Sequence, residues 1–97
     1  MSNSTNPEEF YKKLKSQLED TTTWPNLYLY KFILPITSNQ SQELLKIFDN
    51  LGAVIDTKKS KTGKYVSYSI KVKLPSADAV IEKYKEVTSK IEGVISL

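Results

Sequence analysis

Lysines, tyrosines and scattered carboxylates are the main groups in this 97-residue chain that could serve a reaction or hold a ligand. There is no histidine and no cysteine, and all fourteen basic residues are lysines. The usual general base near neutral pH, the thiolate nucleophile and the bidentate guanidinium fork are therefore missing. An enzyme built from this chain would have to use carboxylate, lysine, serine or tyrosine. The eleven acidic residues are spread over helix-forming stretches, mostly beside lysines, with no close pair at a strand end. No phosphate-binding loop, dinucleotide fingerprint or calcium-loop spacing occurs. The expectation is a protein without catalytic residues, metal or cofactor.

Two stretches retain some binding chemistry. Residues 51–75 contain Lys58, Lys59, Lys61, Lys64, Lys71 and Lys73 against Asp56 alone, a local charge of +5. Residues 1–26, 27–50 and 76–97 sum to −1, 0 and −1, so the whole excess behind the net +3 lies there. With Tyr65 in its midst this segment is a candidate patch for anions or nucleic acid, binding phosphate by point charge. The plainer reading is that these lysines keep a sheet edge soluble and unpaired. The second stretch is the turn Thr37, Ser38 and Asn39, a candidate small-ligand site where backbone amides meet a helix start. Its plainer reading is helix capping by Ser38 or Asn39.

Hydrophobic periodicity supplies the elements that would position these residues. Asn6 as cap, Pro7 at the first helical position and Glu9 open a helix in which Phe10, Leu14 and Leu18 recur at i, i+4 and i+8. The run Leu27–Leu34 is aromatic and apolar on both faces and stops at Pro35, which predicts a central strand. Tyr28, Tyr30 and Phe32 share one face, and Leu29 and Ile33 share the other. A second helix follows, with Leu44, Leu45, Phe48 and Leu51 as its stripe and Gly52 as its left-handed stop. Ala53–Lys59 and Tyr65–Leu74 read as a hairpin around Gly63. In the latter strand Val66, Tyr68, Ile70, Val72 and Leu74 alternate with polar residues. Ser76 caps a third helix carrying Ala77, Val80, Tyr84, Val87 and Ile91, and Gly93 precedes a last strand, Val94–Leu97.

The order after residue 26 is β, α, β, β, α, β. That order predicts an α+β ferredoxin-like plait over residues 27–97, with residues 1–26 as an added helix and connector. Two right-handed crossovers would place two helices on one face of a four-stranded antiparallel sheet and leave the other face open. Leu29, Lys31, Ile33, Ser67 and Ser69 should lie on that open face and form a candidate interface. Its cover would be the N-terminal helix, a second copy or another protein.

RNA-binding domains of this topology, the RRM class, stack bases on aromatics of the two central strands. Tyr65-Val66-Ser67-Tyr68 fits the tail of their strand-three motif, but Gly63 stands where the other stacking aromatic belongs. Small-molecule-binding ACT domains hold amino acids at the turn after strand one, usually on a glycine, where this chain has Leu34-Pro35.

The hairpin Ser60-Lys61-Thr62-Gly63-Lys64-Tyr65-Val66-Ser67 resembles that of the small YbeD-like bacterial proteins, a domain family of unknown function. Trp24-Pro25 ahead of Leu29-Tyr30-Lys31-Phe32, Tyr84 in the last helix and the terminal Val-x-x-Leu resemble the same family over about residues 24–97. The resemblance implies a cytosolic ACT-like plait with a regulatory or protein-binding role.

The polar start with Glu8 and Glu9 does not look like an export signal, and Leu27–Ile36 is far shorter than the roughly 20 residues of a membrane span. A cytoplasmic protein with no membrane partner is expected. Its leading function is binding or regulation through the open sheet face, with an unknown protein or itself as homodimer. Weak single-strand nucleic-acid binding by the lysine hairpin, and small amino-acid-like ligands at residues 37–39, are the alternatives.

Overall fold

In the computed structural model, which describes residues 7–96, helix α1 spans Pro7–Thr21 and is followed by strand β1, Asn26–Pro35. Then come α2 (Ser41–Ile47), a 3₁₀ turn (Asp49–Leu51), β2 (Val54–Lys59), β3 (Tyr65–Leu74), α3 (Ala77–Lys90) and β4 (Ile95–Ser96). The four strands make one antiparallel sheet in the order β2-β3-β1-β4. The fold is thus α+β. β1 and β3 occupy the centre and pair over ten residues, from Asn26 opposite Leu74 to Pro35 opposite Tyr65. β1 and β2 both run against β3, and β3 and β4 both run against β1, so α2 and α3 serve as crossovers between parallel strands.

Period-two patterning explains why the sheet has one packed face. Tyr30, Phe32 and Leu34 of β1 and Tyr68, Ile70, Val72 and Leu74 of β3 are all buried. Leu44 and Phe48 from the α2 end and Val80, Tyr84, Val87 and Ile91 from the α3 end close over them as one cluster. Its centre is aromatic. Tyr30 lies 4.9 Å from Tyr84 edge-on and 5.1 Å from Phe48, and stacks on Phe32 at 5.6 Å. The Tyr30 hydroxyl donates to the Val80 carbonyl at 3.0 Å, and Tyr28 and Tyr84 share a 2.8 Å hydroxyl bond. Burial is the main reason both the Tyr30 and Tyr84 hydroxyls titrate well above the ordinary phenol range.

Local chemistry sets the helix boundaries. Ser76 caps α3, its hydroxyl accepting from the Ala79 amide at 3.2 Å, as the sequence predicts. Gly52, at φ +69°, takes the left-handed conformation after the 3₁₀ turn. The expected capping of α2 by Ser38 or Asn39 is not what forms. Gln40 is the cap residue and makes no side-chain cap bond, its Oε1 accepting instead from the Glu92 amide at 3.0 Å, while the Ser38 hydroxyl accepts from the Gln40 amide at 3.2 Å. That local turn displaces the helix start to Ser41. The last strand begins at Ile95, one residue after the expected Val94, and is described as far as Ser96, with Leu97 outside the described residues.

The expected cap at Asn6 likewise lies outside the described residues. The stripe of α1 differs from expectation by one position. Tyr11, Leu14 and Leu18 pack against the core, whereas Phe10 is 59% exposed. A spacing of i, i+3, i+7 is as helical as i, i+4, i+8, and only the docking surface chooses between them. That surface is α3 rather than the sheet. The Tyr11 hydroxyl meets Thr88 Oγ1 at 3.5 Å and the Lys85 ammonium sits 5.5 Å from the Tyr11 ring centroid. Lys15 Nζ contacts Asp78 Oδ1 at 2.8 Å, and this hydrogen bond raises the Lys15 pKa.

Two outcomes follow from this packing. Phe32→Ala should cost about 3–5 kcal/mol in urea unfolding, while Phe10→Ala should stay within about 0.5 kcal/mol; the reverse order would contradict the packing of α1. Stability should also fall at high pH. In the unfolded chain Tyr30 and Tyr84 ionise near pH ~10, whereas the folded chain holds their protons to higher pH, so above pH ~10 the unfolded state binds fewer protons and gains ground. The contribution is complete below that pH and is lost as pH rises towards the folded values. Thermal melts of the Tyr30→Phe/Tyr84→Phe double variant should lose less stability than the parent between pH 9 and 11.

Candidate functional site

The strand registers place one set of side chains on the face away from α2 and α3. Val54, Lys71 and Leu29 align across β2, β3 and β1; Asp56, Ser69 and Lys31 form the next row. Lys58, Ser67, Ile33 and Ile95 form a third row across all four strands. Leu27 opposite Lys73 and Pro35 opposite Tyr65 complete the two ends. All five residues of the expected interface, Leu29, Lys31, Ile33, Ser67 and Ser69, are therefore brought together. α1 does not cover them, since it lies against α3.

The face is partly greasy and partly basic. Leu27 is 58% exposed, Leu29 47%, Val54 62%, Tyr65 43% and Ile95 49%. Among the described residues three further large hydrophobics are exposed, Phe10, Ile36 and Leu51, and they lie apart on α1, a loop and the 3₁₀ turn. The Leu51 position departs from the expected α2 stripe, because the chain tightens into the 3₁₀ turn after Phe48 and rotates residue 51 outward.

The lysine group expected to act together is divided by the pleat. Lys58, Lys71, Lys73 and Tyr65 lie on the open face, where Lys31 joins them. Lys59 pairs with Val66, a register position of the helix side, and at the strand's end it also borders the concavity beside the hairpin. Lys61 and Lys64 belong to the hairpin turn. That turn is tied by Ser60, whose hydroxyl accepts from the Tyr65 amide at 3.1 Å, and by Gly63 at φ +71°. The Ser67 hydroxyl reaches across to the Lys58 carbonyl at 3.3 Å. Ser60 and Gly63 of this hairpin thus build the turn, and Ser67 ties β3 to β2. A concavity of about 240 Å³ opens beside it, lined by Ile33, Lys58, Lys59, Ser60, Lys61, Tyr65 and Ser67.

At the other candidate turn, Thr37 and Asn39 are exposed and Ser38 is half-buried. Within it the Ser38 amide donates to the Pro35 carbonyl at 2.9 Å, and on either side Ile36 donates to the Lys64 carbonyl at 2.8 Å and Gln40 to Ser38 Oγ. Between α1 and α3 runs a wider concavity of about 420 Å³, lined by Glu8, Glu9, Lys12, Lys15, Asp78 and Lys85 with Tyr11 and Ile81. Among the described residues no cluster of carboxylates is placed to hold a metal ion, and no helix is long and apolar enough to cross a membrane.

Leu27, Val54 and Ile95 are the members of the face that sequence reasoning missed. Leu27 continues the Leu29, Ile33 alternation and was within reach of a period-two reading. Val54 and Ile95 join only through strand order, which no local pattern shows.

The arrangement is a small α+β scaffold, a four-stranded antiparallel sheet with its helices on one side and a mixed aliphatic and lysine surface on the other. The chain belongs to the DUF493 protein family of unknown function, whose model matches residues 19–96. This is the family to which the YbeD-like hairpin points. No curated protein and no solved structure matches the chain at a significant level.

Because its side chains are exposed, the face should tolerate change without loss of the fold. Leu29→Glu should shift the melting temperature by no more than about 4–8 °C, roughly 1 kcal/mol, and leave a dispersed amide NMR spectrum. Collapse of the spectrum would mean that Leu29 belongs to the core.

Proposed function

We propose that this protein is a non-enzymatic binding or regulatory module of the cytoplasm, a ferredoxin-like and ACT-like plait whose open sheet face takes up a protein partner. The observation that carries the reading is the gathering of Leu27, Leu29, Val54, Tyr65 and Ile95, five of the eight exposed large hydrophobics among the described residues, on that one face. Concentrated apolar surface on a small domain marks a place that another molecule covers. The strand order β2-β3-β1-β4 with two helical crossovers supports the plait assignment.

Nucleic-acid binding is the second reading, favoured by Tyr65 beside Lys58 and Lys61 around the 240 Å³ concavity. A stacking platform needs more than one aromatic, and Tyr28, Tyr30 and Phe32 lie on the opposite face of β1, with Tyr30 and Phe32 fully buried. Aliphatic side chains offer apolar contact but no stacking. The protein partner is therefore preferred.

A photo-crosslinking residue at position 29 should capture a discrete protein adduct in living cells, whereas the same residue at the exposed Lys46 of α2 should not. Ile33→Glu should reduce the adduct at least ~10-fold, because a covering partner would have to bury its carboxylate among apolar groups. Equal labelling from both positions, or none, would refute the open face as a binding surface.

A further inference from the structure

The charge of the open face selects among its partners, provided that the face is the binding surface proposed above. Lys31, Lys58, Lys71 and Lys73 lie on it against Asp56 alone. That is the entire formal excess of +3, since the remaining ten lysines balance the remaining ten carboxylates. The lysines are interleaved with the aliphatics: Lys71 stands between Val54 and Leu29 in one row, and Lys58 shares a row with Ile33 and Ile95. Nothing can cover the apolar atoms without also covering or approaching the ammonium groups.

A second copy is a poor cover. Face to face, each copy would offer the other one carboxylate for four lysines, and unpaired like charges across a closed interface oppose association. The scattered aliphatics want an apolar complement, which nucleic acid does not provide. We infer that the partner is a different protein presenting apolar side chains ringed by Asp and Glu, and that the lysines speed and orient its docking. Their alkyl stems can lie along the aliphatic rows while the ammonium groups reach the acidic rim.

The test uses the full chain with the photo-crosslinker at position 29 in two backgrounds, native and Lys31→Glu/Lys71→Glu. The purified parent should sediment as a monomer at 0.05 M and at 0.5 M salt. In cells the adduct should map to an acidic segment of another protein, and charge reversal should cut its yield at least ~10-fold while the amide NMR spectrum stays dispersed. An adduct with a second copy, with nucleic acid or with lipid, or one indifferent to the charge reversal, overturns the acidic-partner inference and leaves the binding face standing. No adduct in either background removes the face itself, and this inference with it.

Discussion

The antiparallel pairing of β1 with β3 over ten residues sets the facing of every other strand side chain. Successive side chains alternate between faces, so a slip of one residue would turn Tyr30, Phe32, Ile70 and Val72 out to solvent and bring Lys31 and Lys71 into the core. Both neighbours take their register from this pair: β2 from β3 through the Ser60 turn, and β4 from β1 at Phe32 and Ile33. The core and the open face are two readings of the same alternation.

Aromatic rings give the packed side its definition. Tyr30, Phe32, Phe48 and Tyr84 meet at centroid distances between 4.9 and 6.3 Å. Their hydroxyls would be costly there if unpaired, and Tyr30 and Tyr84 each have a partner. The Tyr30 bond to the Val80 carbonyl also ties α3 to β1 inside the apolar layer. The bare side is held in shape by strand pairing, with the Ser67 hydroxyl on the Lys58 carbonyl as a further tie between β3 and β2.

α1 is an addition to this frame. The family match begins at residue 19, so most of α1 precedes it. It docks on α3 through Tyr11, Leu14 and Leu18 and the Lys15–Asp78 ion pair, on the side already occupied by helices. The mixed-charge groove between α1 and α3 comes from that placement. Exposed ion pairs contribute little by themselves, and the apolar stripe supplies most of the attachment.

Much of this was legible in the residues. Alternation in Tyr65–Leu74, the Ser76 cap, the glycines after α2 and in the hairpin, and the 3-4 spacing of α3 are local signals with local causes, and they determined the elements and the inward-facing set. The division of lysines followed from the same period two, which separates Lys58 from Lys59. Other features depend on surfaces that local spacing does not contain. The choice of Tyr11 over Phe10 depends on where α1 lands, the α2 start on competition for the Ser38 hydroxyl, and the joining of Val54 and Ile95 to Leu29 and Ile33 on strand order. The strands, the helices and the apolar side of each follow from the order of residues alone, because those are written at spacings of two and of three to four residues. That α1 lands on α3 instead of the open face, and that the aliphatics and lysines of this face lie in shared rows, depends on contacts between residues far apart in the chain and so on the assembled fold.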